Sequence, residues 1–138
     1  MEKMFNFFSM LVGMCGGVIT FVFGGIDGIM KTLLVLIVLD YLTGVLKALY
    51  YKKLCSEIGY KGIIKKVIML IVVATSVAVQ GVISPQLPMR EIVIMFFIAN
   101  ESLSLLENAS SILPVPDSLK NVLLQLKSDT ISRTNKDK

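Results

Sequence analysis

The chain has 138 residues, of which 54% are hydrophobic and only 17% charged, against about 25% charged in typical soluble domains. A single domain of this size has too much surface for its volume to hide that much apolar side chain from water, so a soluble enzyme is excluded and a membrane protein is expected. The formal charge is +4 and there is no His. The basic residues flank apolar stretches, which reads as membrane topology and not as nucleic-acid binding; the lack of His removes Ser-His triads, Cys-His pairs and His-based metal sites.

A membrane-crossing helix needs about 20 mostly apolar residues. The first such run, residues 4–26, carries no charge and holds Gly13, Gly16, Gly17, Gly24 and Gly25. It is too long for the apolar core of a signal peptide and no small-x-small cleavage site follows, so it is read as retained. Met14 before Cys15 does not fit a lipoprotein site. Gly13 and Gly17 have small-xxx-small spacing, a weak signal for close helix approach.

The second run covers residues 29–51 and is interrupted near its middle by Asp40. A carboxylate at that depth costs about 2.5–3.5 kcal/mol on insertion scales, so it should face protein or water and not lipid. Thr43, Gly44 and Lys47 follow at i+3, i+4 and i+7 and share its face. Two readings stand: a neutral, hydrogen-bonded Asp that glues helices together, or the water-exposed lining of an assembled pore.

The third run, residues 67–87, ends at Pro85 and Pro88, which stop a helix. The fourth, residues 90–108, is apolar from Ile92 to Ala99 and polar afterwards. Asn100, Ser104, Glu107 and Asn108 share a face, with Glu101 at its edge. Two acids in a marginal span point to a face that meets water or other polar helices; the alternative is a helix resting at the interface. Pro114 and Pro116 then break the chain, and Asp117 or Ser118 can cap a short helix. Leu119, Val122, Leu123 and Leu126 recur at helical spacing, as on an amphipathic helix lying on the membrane surface. Ser128 to Lys138 form a polar tail. The reading is an all-α integral membrane protein: about four transmembrane helices in residues 1–116, then a short C-terminal amphipathic helix and polar cytoplasmic tail in residues 117–138.

Lys47, Lys52, Lys53, Lys61, Lys65 and Lys66 are opposed only by Glu57 in the second connection, a net +5 from six lysines and one acid. The connections on either side, Asp27 with Lys31 and Arg90 with Glu91, are neutral. The positive-inside rule places the lysine stretch in the cytoplasm, and four spans then put both termini there too. Lys52, Lys53, Lys61, Lys65 and Lys66 set orientation and can also attract anionic lipid. Cys15 and Cys55 fall in different environments, so no disulfide is expected. No P-loop, metal-ligand cluster or nucleophile–base pair is present; no enzymatic activity, cofactor or metal is expected.

Asp40-Tyr41-Leu42-Thr43-Gly44, Ser56 with Gly59 to Gly62 before Lys65-Lys66, Asn100-Glu101-Ser102-Leu103-Ser104-Leu105-Leu106-Glu107-Asn108, and Leu113-Pro114-Val115-Pro116 before a Leu/Lys helix together resemble the toxin-secretion/phage-lysis holin family, over roughly residues 30 to 127. The resemblance implies a small protein of the bacterial host's cytoplasmic membrane that forms homo-oligomers among the lipids and opens lesions at a set time. It implies endolysin or a toxin as released cargo, with an antiholin as a possible further partner. The polar faces read from spacing, Asp40, Thr43, Gly44 and Lys47 with Asn100, Glu101, Ser104, Glu107 and Asn108, are then the expected pore or assembly stripe. Two other readings remain. One is a small multidrug-type exporter, disfavoured by the lack of an acid in the first span; the other is an antiholin-like regulator, which could share the whole fold.

Overall fold

The structure, a computed structural model, describes residues 1–53, 55–83, 86–114, 116–119, 121–122 and 124–125. Four long helices follow one another: α1 (Glu2–Phe23), α2 (Gly28–Tyr50), α3 (Ser56–Ile83) and α4 (Met89–Ser110). The shortest has 22 residues, about 33 Å at ~1.5 Å per residue, enough to cross a ~30 Å hydrocarbon layer. Each is apolar enough to do so, and no strand occurs among the described residues. The protein is a multi-pass, all-helical membrane protein. Residues 117–119, 121–122 and 124–125 are helical as well, with Leu119, Val122 and Leu124 exposed. Leu123, Leu126 and the tail from Ser128 onward lie outside the described residues, as does Pro85.

Local chemistry sets the helix ends. Gly24 closes α1 in the left-handed conformation (φ 69°), which glycine adopts without a Cβ penalty, and Gly25 follows at φ 110°. Asp27 caps α2, its carboxylate accepting the Met30 N–H at 3.1 Å. Ser56 begins α3 much earlier than the apolar run at residue 67 suggests. Most of the Lys47–Lys66 stretch is therefore helix and not loop, since α2 runs to Tyr50 and α3 starts at Ser56. The reason is local: Glu57 and Lys61 pair at i,i+4 over 2.6 Å on the exposed face, and the next turns carry Ile63, Ile64 and a Lys66 that has a buried partner. Likewise α4 runs on as one helix through its polar half to Ser110.

Helices α2, α3 and α4 alternate in direction: Tyr51 lies beside Ser111, while Arg90 meets Asp27 and Gln80 at the other end. The α2–α3 connection and the end of α4 therefore share one end of the bundle, hereafter the lysine end. Tyr51 at the end of α2 donates its hydroxyl to the Ser111 carbonyl just past α4, at 2.5 Å. The main interface is α2 against α4, and α3 packs on α4. Met30, Leu33, Met69, Val73 and Ile94 form the apolar core, in the half of the bundle away from the lysine end. By contrast, α1 buries none of its residues; its helix–helix contact is with α3, and at its end Phe23 touches the apolar core. Phe5, Phe8 and Phe21 on α1, Val35 and Val38 on α2 and Ile71 on α3 are exposed; lipid tails solvate such a surface where water would not.

Candidate functional site

Four polar side chains meet inside the bundle, on the lysine-end side of the apolar core. Asp40 stands near the midpoint of α2 and is 7% exposed; Glu101, from α4, is 4% exposed. Lys66 reaches in from α3. Its ammonium donates to Asp40 Oδ2 at 2.6 Å and also to Glu101. From α4, the Asn108 side-chain amide donates to Asp40 Oδ1 at 3.2 Å. Both oxygens of Asp40 are thus engaged, and three helices are tied by one cation. The cluster contains two carboxylates and one ammonium, a formal charge of −1. In a low-dielectric interior charges persist only when paired and hydrogen-bonded.

Three glycines border this region with room for a Cβ at ordinary contact distance: on Gly44 it would stand 3.6 Å from Asn108 Nδ2, on Gly59 3.5 Å from the Tyr41 hydroxyl, and on Gly62 3.6 Å from the Tyr41 ring. Gly59, Gly62 and Lys66 lie at i, i+3 and i+7, one face of α3 turned toward α2. That periodicity is the signal that would have assigned Lys66 to the interior instead of to a basic loop. Thr43 donates to the Asp40 carbonyl of its own helix at 3.0 Å. Gly44 and Lys47 line a cavity of about 580 Å³ that continues from the cluster to the lysine end. The polar residues of α4 divide. Glu101 is buried; Asn108, seven residues on, is half-buried like Asn100 and Ser104 but reaches Asp40, and Glu107 is exposed. Lys52, Lys53, Lys61 and Lys65 are exposed; Lys66 is not.

A second polar knot closes the opposite end. Arg90 is 5% exposed. Its guanidinium grips Asp27 with both ends, Nη1 to Oδ2 at 2.8 Å and Nη2 to Oδ1 at 3.1 Å. Nε donates to the Phe23 carbonyl at 2.6 Å and Nη2 to the Gly25 carbonyl at 2.9 Å. The Arg90 N–H itself donates to Gln80 Oε1 at 2.9 Å. One side chain thus ties the end of α1 and the α1–α2 turn to the start of α4. Neutral net charge in both flanking connections hid this knot from sequence reading, because Asp27 and Arg90 are 63 positions apart.

The Arg90 hydrogen bond, with help from the Met30 N–H, lowers the Asp27 carboxyl from 3.8 to about 2. A lowered value means that the clamp contributes fully above pH 3.8 and is lost as pH falls through about 2. An NMR titration of the Asp27 carboxyl in detergent should give a midpoint well below 3.8. A midpoint at 3.8 would mean that the clamp is not formed.

Among the described residues no three His, Cys, Asp or Glu side chains group as metal ligands would, and Cys15 and Cys55 are free and exposed. The arrangement is suited to holding helices together through charge, and to solvating a polar face if those helices part.

The family model described as "Bacteriophage holin family" matches residues 17–128. The chain belongs to the bacteriophage holin family. This holin-family chain is 40% identical to an uncharacterised 14.9 kDa protein encoded in the nagH 3′ region of Clostridium perfringens, over 91% of this chain and 97% of that one. It is 39% identical to an uncharacterised Listeria innocua protein, over 79% of each chain. It is also 32% identical to a probable holin of Bacillus phage phi105, over 76% of this chain and 78% of the phage protein. No solved structure matches it. Family membership accords with a non-enzymatic membrane protein, and the phage relative supports a holin role.

Proposed function

We propose that this protein is a holin of the bacterial cytoplasmic membrane. It accumulates as a closed bundle, associates with further copies and opens lesions that release endolysin or a toxin. The observation that carries this reading is the Asp40–Lys66–Glu101–Asn108 cluster. Here, charges sufficient to wet a helix face are internally neutralised to a single residual charge, within helices whose outer surfaces suit lipid. When α2, α3 and α4 separate, the same side chains can line water in an assembly with other copies. The cost of exposing a carboxylate or ammonium to lipid makes the change all-or-none, in keeping with a delayed, abrupt onset. Induced expression with a membrane-potential dye tests it: sudden depolarisation after a lag is expected. Gradual flux coupled to pH would instead indicate an exporter, and no depolarisation a regulator of another holin.

The proposed orientation has both termini and the lysine end in the cytoplasm. With Cys15 and Cys55 replaced, single cysteines at Lys53 and Lys136 should resist an impermeant thiol reagent in intact cells until depolarisation. Labelling of either one beforehand would refute the four-span orientation.

A further inference from the structure

The cavity of about 580 Å³ at the lysine end lies between α2, the start of α3 and the end of α4. Its volume falls within the ~300–1,000 Å³ of small-ligand sites. Val45, Ala48 and the rings of Tyr41 and Tyr51 give it a largely apolar wall. Three lysines line it, Lys47, Lys53 and Lys66, against one carboxylate, Asp40. Lys66 is taken up by Asp40 and Glu101. Lys47 and Lys53 have no ion pair among the described residues. Two free ammonium groups at the mouth of an apolar crevice, at the level where a helix bundle leaves the hydrocarbon, fit a ligand that is anionic at one end and apolar at the other.

We infer that this cavity binds an anionic glycerophospholipid of the surrounding membrane, its phosphate held by Lys47 and Lys53 and the upper part of an acyl chain against the Tyr41, Val45 and Ala48 wall. Basic pockets between transmembrane helices recognise lipid head groups in this way. The occupant is a lipid and not a free anion because the wall is apolar and the cavity opens to the bundle surface beside the exposed Tyr51 and Lys53. A bound lipid would bridge α2 to the α2–α3 turn, next to the buried cluster. Binding does not require that the protein open lesions, so the two proposals fail separately.

The test uses the full-length protein in detergent micelles, with phosphatidylglycerol or phosphatidylcholine of identical acyl chains added, and retained lipid counted by native mass spectrometry. The wild type should favour phosphatidylglycerol by about ten-fold or more, the scale expected of two lysines at an anionic head group. Lys47→Gln/Lys53→Gln should lose that preference. Lys136→Gln/Lys138→Gln, which removes the same charge from the tail, should keep it. Val45→Phe, which fills the crevice without touching a charge, should also reduce retention; circular dichroism verifies that each variant stays helical. Equal loss in the tail variant would show diffuse surface attraction and overturn the inference. So would equal retention of phosphatidylcholine, or displacement by millimolar inorganic phosphate at matched ionic strength.

Discussion

Lys66→Met should be the most damaging single substitution in the closed bundle, worse than any change at Asp40. Asp40 and Glu101 share one ammonium. Removing it leaves two buried carboxylates facing each other, and breaking a buried pair from one side costs about 3–5 kcal/mol. Asp40→Asn acts differently. It leaves the neutral pair of Lys66 with Glu101, and an Asn at 40 can still accept from Lys66 through its one carbonyl oxygen while its amide donates to an Asn108 side chain that has flipped. Its cost should be near 1 kcal/mol, that of a weakened hydrogen bond. The triple variant Asp40→Asn/Lys66→Met/Glu101→Gln removes every charge and should recover most of the stability that Lys66→Met loses. Unfolding of the purified protein in detergent, followed by circular dichroism, checks the order. In cells, Lys66→Met should bring depolarisation forward at matched membrane abundance. If Lys66→Met is as stable as the wild type, Lys66 is not the keystone of the bundle.

Arg90→Ala should free α1 from the rest of the protein. Nothing on α1 is buried, and its end is fastened mainly through the Phe23 and Gly25 carbonyls and the neighbouring Asp27. Charge-assisted hydrogen bonds of this kind are each worth about 1.5–3 kcal/mol, so the loss should exceed what the α1–α3 contact can offset. Arg90→Lys should be intermediate, because an ammonium cannot reproduce the two-pronged grip on a carboxylate. Spin labels on Cys15 and on Thr75→Cys of α3, with Cys55 replaced, give the distance between α1 and α3. A narrow distribution should become broad in Arg90→Ala. An unchanged distribution would mean that packing alone holds α1.

The helices themselves were legible because hydropathy acts on runs of some 20 residues, and charge-free runs have few alternatives. Asp40 was legible for the same reason: a lone carboxylate among apolar neighbours announces that it needs a partner. The partner was not. Lys66 lies 26 positions away, in a stretch whose surplus of lysines suggests a solvated loop, and only the Gly59–Gly62–Lys66 periodicity sets it apart. The start of α3 was missed by the same inference, since lysines end an apolar run without ending a helix. On α4 the polar residues were recognisable as a group, but spacing alone did not tell Glu101, which is buried, from Glu107, which is exposed.

On the proposed function, polar faces enclosed or embedded in the closed bundle meet water when lesions form. A cysteine reports this directly, because the thiolate is the reactive form and does not persist in lipid or in a packed interior. Asn100 lies at mid-length in α4, and Val38 is exposed on the apolar surface of α2. With Cys15 and Cys55 replaced, Asn100→Cys and Val38→Cys are each treated with a small charged thiol reagent in membranes taken before and after depolarisation. Asn100→Cys should be unreactive before and modified after, while Val38→Cys stays unreactive throughout. If Asn100→Cys remains unreactive in fully depolarised cells, α4 does not line the lesion and the account is wrong.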